Sequence, residues 1–73
     1  MSVSIRTQAE RALLHDGVTA RVMRDGWAPF MPEDRAVLAE MQREGIVYVS
    51  ERSGRYRLTS AGVLAAAQLR GAR

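Results

Sequence analysis

"GIVYVSERSGRYRLTSAG", Gly45 to Gly62, is the stretch on which the fold turns. Two short runs of β-type residues flank Ser53-Gly54, three arginines surround that turn, and helix-forming residues follow at once. A two-residue turn at Ser53-Gly54 sets Arg52 opposite Arg55, Ser50 opposite Arg57 and Val49 opposite Leu58. Alternation then assigns Val47, Val49, Tyr56 and Leu58 to a core face, and Tyr48, Ser50, Arg52, Arg55, Arg57 and Thr59 to the other. Thr59 or Ser60 caps a final helix that contains Val63, Leu64, Ala67 and Leu69, runs to Arg70 and stops at Gly71.

Upstream of the hairpin, Pro32 suits the first position of a helix that runs to Glu44 and is terminated by Gly45. Glu33 and Asp34 fall in its first turn, where the helix dipole favours carboxylates. A step of about 100° per residue turns Val37, Leu38 and Met41 to one side. Arg35, Ala36, Ala39, Gln42 and Arg43 lie on the opposite side, with Glu33, Glu40 and Glu44 along an edge.

The N-terminal third reads as two helices. The first spans Ile5 to His15, capped by Ser4 or by a Thr7–Glu10 capping box, with Ile5, Ala9, Ala12 and Leu13 buried. Asp16-Gly17 ends it. A second, from Val18 to Asp25, turns Val18, Val22 and Met23 inward and Arg21 and Arg24 outward, and Gly26 closes it. The two prolines of "WAPFMP" exclude a continuous helix there. Trp27, Phe30 and Met31 read as core; left exposed, they would mark a contact for a protein partner.

Seventy-three residues, 47% hydrophobic and 26% charged, make a single domain of ordinary globular composition over residues 1–73. With no cysteine the chain has no disulfide and no thiolate metal site. His15 is the one histidine and stands beside Asp16 at a helix end, an ordinary place for an imidazole. No glycine-rich phosphate loop, metal-ligand cluster or activated nucleophile appears, so no enzyme activity, catalytic residue, cofactor, metal or small-molecule ligand is expected. No apolar run approaches the roughly 18 residues that span a bilayer, and "MSVSIRTQAER" lacks the pattern of a signal peptide; the expectation is a cytoplasmic protein. All eleven basic residues are arginine, against eight acids, for a net charge of +3. That balance permits a polyanionic partner without demanding one.

The order of helices, hairpin and helix, with Leu38, Met41, Gly45, Ile46 and Val47 followed by Gly54, Tyr56, Leu58, Thr59 and Gly62, resembles the winged helix-turn-helix. It is most similar to small bacterial and phage regulators and to the DNA-binding cores of the multiple-antibiotic-resistance and phenolic-acid repressor families. The resemblance implies an α+β, mostly α fold with three helices, a two-stranded wing and a C-terminal helix.

It also implies double-stranded DNA as partner, read for transcriptional regulation. The third helix would enter the major groove with Arg35, Ala36, Ala39, Gln42 and Arg43, since arginine pairs with guanine and glutamine with adenine. Arg52, Arg55 and Arg57 of the wing, and Arg21 and Arg24, would hold phosphate. Such modules pair on palindromic sites, so a homodimer through the first and last helices is expected, using Val63, Leu64, Ala66, Ala67 and Leu69. Like charges across a hairpin destabilise it, so Arg52 opposite Arg55 points either to a tolerated cost or to an anionic partner. Four acids on the third helix, Glu33, Asp34, Glu40 and Glu44, would instead repel phosphate. They favour the alternative of a winged-helix adaptor or inhibitor that contacts a protein through this edge and through Trp27 or Phe30.

Overall fold

The computed structural model describes residues 6–71; Ser4 and Ile5, expected at the start of the first helix, lie outside them. Thr7 and Glu10 form the capping box the sequence offers: Thr7 Oγ1 accepts from the Glu10 amide at 3.2 Å, and Glu10 returns an acceptor to the Thr7 amide at 2.9 Å. From there α1 runs without interruption over Gln8–Met23.

The expected break at Asp16-Gly17 and the separate helix Val18–Asp25 are therefore not formed. Gly17 is a packing residue. A Cβ placed on it would lie 2.7 Å from Cγ and Cδ2 of the fully buried Leu58, so the missing side chain lets that leucine settle onto the helix backbone. Glycine inside a helix costs about 1 kcal/mol relative to alanine, which burial of Leu58, worth roughly 1.5–3 kcal/mol, offsets. The continuous helix also changes which residues are inside. Leu13, Leu14, Gly17 and Ala20 are buried, Val18 is half-buried, and Ala9, Ala12, Val22 and Met23 are exposed.

Gly26, at φ 94°, turns the chain into β1 (Ala28–Pro29). Pro29 is tolerated because β1 is an edge strand. A 3-10 turn at Pro32–Asp34, fixed by the Asp34 carboxylate accepting from the Met31 amide at 2.9 Å, leads into α2 (Arg35–Arg43). Gly45, at φ 81°, ends α2: its amide donates to the Gln42 carbonyl and that of Ile46 to the Met41 carbonyl, the paired bonds of a Schellman stop. The chain then forms β2 (Val47–Ser50), β3 (Arg55–Leu58) and α3 (Ser60–Gly71), and the antiparallel sheet has the order β1-β3-β2. The fold is thus α+β and mostly helical, with three α-helices among the described residues rather than the four expected.

The hairpin register differs from the expected one by two residues. Ser50 faces Arg55, Tyr48 faces Arg57, Val49 faces Tyr56 and Val47 faces Leu58. A two-residue turn of the favoured type needs positive φ at both positions; Gly54 supplies it at 66°, whereas Ser53 does not adopt it. A four-residue loop, Glu51–Gly54, forms instead and is closed by the Gly54 amide on the Ser50 carbonyl. A two-residue shift preserves the faces, so Val47, Tyr56 and Leu58 are buried and Val49 half-buried, as alternation requires. It removes the Arg52–Arg55 opposition, and with it the case for an anionic partner drawn from like charges across the strands.

The core gathers Leu13, Leu14, Ala20, Ala28, Leu38, Met41, Ile46, Val47, Tyr56, Leu58 and Ala66. Trp27 and Phe30, expected inside, are only half-buried and Met31 is exposed; the short Ala28 takes the interior place because it is the β1 residue opposite Tyr56. Thr59 joins α3 to the rest. Its hydroxyl donates to the Gly45 carbonyl at 2.7 Å and accepts from the Gly62 amide at 3.1 Å. Thr59→Ala is expected to cost about 1–2 kcal/mol in denaturant unfolding, with Thr59→Ser retaining most of the stability.

Candidate nucleic-acid interface

The expected groove-reading residues do share one exposed side of α2: Arg35, Ala36, Ala39, Gln42 and Arg43 all face solvent. Their polar groups, however, are engaged. Arg35 bonds Glu51 of the hairpin loop at 2.6 Å and lies 5.8 Å over the Phe30 ring, while Arg43 bonds Glu40 at 2.7 Å. Gln42 Oε1 accepts from the Val49 amide at 2.9 Å, covering part of the free edge of β2. Glu44 pairs with Arg6 at 2.9 Å, which ties the start of α1 to the end of α2. The acids that looked foreign to a phosphate-binding helix are thus largely partners of arginines, and Asp34 is a cap. Helix α2 presents a nearly neutral surface.

The hairpin is different. Arg55 and Arg57 project from the sheet face opposite the core, and Arg52 stands exposed in the loop. Among the described residues Arg52 and Arg57 have no carboxylate partner within ion-pair distance, and Arg55 has only Asp25, at 3.7 Å. Asp25 itself is fixed by the Trp27 amide, which donates to Oδ1 at 3.0 Å. That bond, with Arg55 adding to it, holds the Asp25 carboxyl below its ordinary range.

Arg57 packs over the Trp27 ring, its guanidinium carbon 5.5 Å from the centroid, and the Trp27 and Tyr48 rings meet edge to face at 6.1 Å. Trp27, Arg57 and Tyr48 form one row across the sheet, with Pro29, Arg55 and Ser50 in the next. Alternation already places Tyr48 beside the arginines. Trp27 could be found only by knowing that β1 pairs with β3. Trp27 lies against the Arg57 guanidinium and Phe30, half-buried, lies beneath that of Arg35, while Met31 is exposed.

Arg21 and Arg24 are exposed at the end of α1, and Arg24 borders a cleft of about 230 Å³ with Ala28 and Pro29. On the other side of α1, a groove of about 810 Å³ runs against α3, lined chiefly by Leu14, Val18, Val22, Met23, Ala66 and Leu69, with Arg11 and His15 at its rim. Of the residues expected in a dimer contact, Leu64 and Ala67 are exposed, Val63 and Leu69 half-buried and Ala66 buried. Among the described residues no group of three or more metal-ligating side chains converges, and no helix is long and apolar enough to cross a membrane.

Comparison with protein-family models, curated proteins and solved structures returns no match. What the chain does is therefore inferred from its own geometry.

Proposed function

We propose that this protein binds double-stranded DNA as a small regulator of the winged-helix kind, with most of its affinity coming from the hairpin. The observation that carries this reading is the cationic outer face of the sheet: Arg55 and Arg57 side by side on β3, with Arg52 at the loop tip and, among the described residues, Asp25 as the one carboxylate within ion-pair distance of them. The winged-helix kinship is supported by the passage from α2 through a glycine stop into a hairpin and then α3. The chain lacks a second helix between β1 and β2, so α2 has no short-turn partner of the helix-turn-helix type. Phosphate contacts from the hairpin position the protein, and α2 follows as the secondary element. Its exposed ion pairs, worth at most about 1 kcal/mol each, can open so that Arg35 or Arg43 meets the duplex. A second copy packed along the α1–α3 groove, covering the exposed Val22 and Met23, would present two hairpins to one site.

Anisotropy titration of labelled duplex against salt tests the reading. Three arginine–phosphate contacts give a log–log slope of about −2.7, which is a loss of about 40-fold between roughly 50 and 200 mM salt. Substituting Arg52, Arg55 and Arg57 together by alanine is expected to bring the slope close to zero, whereas Arg35→Ala alters sequence preference more than slope. Light scattering on the same complex distinguishes one copy from two per duplex. No binding to any duplex at low salt would falsify the proposal.

A further inference from the structure

The outer face of the sheet carries more than phosphate binding requires. A row of cations would serve that purpose, yet here an indole and a phenol flank the central arginine. Tyr48 is 58% exposed, although its strand neighbours Val47 and Val49 turn inward. The Trp27 and Tyr48 rings meet edge to face, their centroids 6.1 Å apart. Arg57, opposite Tyr48 in the sheet, places its guanidinium carbon 5.5 Å from the Trp27 centroid, while Arg55 stands one row along the strand, about 7 Å away. The hydroxyls of Ser50 and Ser53, 2.8 Å apart, close the end of the platform near the loop.

We infer that this face binds unpaired nucleobases, Tyr48 serving as the stacking surface and Arg52, Arg55 and Arg57 following the phosphates of the same single strand. The inference rests on the nucleic-acid binding proposed above for these arginines and adds the state of the strand they hold. Three features select this occupant. The charge of the face is positive with one opposing carboxylate, which suits a polyanion. Aromatic rings offer a π-face that any base can use, so the contact needs no base-edge readout. A stacked duplex does not present base faces along its length, so an exposed ring on a cationic sheet is best used by a strand that is single, frayed or overhanging. The protein would accordingly favour junctions between duplex and single strand, the hairpin lying on the unpaired side.

Trp27 is the sole tryptophan, so its fluorescence reports directly on this platform. Three probes are titrated at low salt: a short oligothymidine, a blunt duplex, and the same duplex with a single-stranded overhang of about four nucleotides. The expected result is quenching of Trp27 by the oligothymidine and binding of the overhang duplex about tenfold tighter than the blunt one, the gain that one stacked base supplies. Tyr48→Ala is expected to erase the difference between the two duplexes and Tyr48→Phe, which keeps the ring, to preserve it. Equal affinity of the wild-type protein for blunt and overhang duplexes, without quenching by the oligothymidine, overturns the inference while leaving duplex binding intact. Failure of all three probes to bind removes both readings. The wild-type comparison needs no variant, so the test decides the matter whether or not Tyr48→Ala folds.

Discussion

Gly62→Ala is expected to remove more than half of the protein's stability. The methyl group would overlap the carbonyl oxygen of Ile46 and approach Leu58 Cβ to 3.2 Å, and both neighbours belong to the buried core. Neither can yield. The Ile46 carbonyl accepts from the Thr59 amide at 3.1 Å, and the Ile46 amide donates to Met41 in the stop of α2. Relief requires the first turn of α3 to move away from the α2–β2 junction, which breaks the Thr59 bonds to Ile46 and to Gly45 together.

A forced displacement of that kind costs at least about 3 kcal/mol, against a total stability on the order of 5 kcal/mol for a chain of this size. Gly17→Ala supplies the comparison. Its clash is with the side chain of Leu58 rather than with backbone, and alanine recovers about 1 kcal/mol of helix propensity, so its net cost is about 1 kcal/mol. Thermal melts should therefore rank wild type above Gly17→Ala and both far above Gly62→Ala, the last lowered by about 15 °C or more. A Gly62→Ala protein melting within a few degrees of wild type would contradict the close approach of α3.

The second large effect is alkaline. Tyr56 is fully buried and its hydroxyl donates to the Leu13 carbonyl at 2.5 Å. Burial pushes its phenol well above the ordinary value near 10, and the carboxylates of Asp16 and Asp34 add to the rise. Above pH 10 the unfolded chain releases this proton while the folded chain keeps it. The folded state then binds more protons, and stability falls by about 1.4 kcal/mol per pH unit. The contribution is complete below pH 10 and disappears as pH climbs toward the folded-state value.

The composition isolates the effect. With no lysine and no cysteine, the two tyrosines are the only side chains whose ordinary pKa falls near 10, since arginine stays charged. Denaturant unfolding followed by helical circular dichroism should show an alkaline transition, stability falling by about 2.8 kcal/mol between pH 10 and 12, with one phenolate appearing in the ultraviolet as the chain unfolds. Tyr56→Phe is expected to be about 1 kcal/mol less stable at neutral pH, through the lost hydrogen bond, and to lack the alkaline transition. If both proteins lose helix in parallel, Tyr56 is not the group responsible.

What could be read in advance followed from residues whose meaning is local. Gly45 announces the end of α2, Thr7 and Glu10 announce the start of α1, and alternation sorts the hairpin faces even when the register moves by two. Gly17 and Gly62 look the same as those turn glycines in the sequence but act through contacts with Leu58 and Ile46, 41 and 16 residues away, that no local pattern encodes. β1 is two residues long and includes a proline, so only its pairing with β3 gives it a signal. The arginines of α2 and of the hairpin are likewise equivalent on paper. Glu51 and Glu40 neutralise one set, while a tryptophan ring and a weak pair with Asp25 leave the other charged.

The seating of Leu58 on Gly17 and of Tyr56 on Leu13 also bears on how the molecule assembles. Both contacts join the first helix to the last strand, across 41 and 43 residues. Helix α1 alone exposes the bare backbone that Leu58 must cover, and the hairpin alone exposes the tyrosine and leucine that need the helix. Closing so long a span costs chain entropy before either contact repays it. The core is therefore completed only when α1 and β3, far apart along the chain, are brought together.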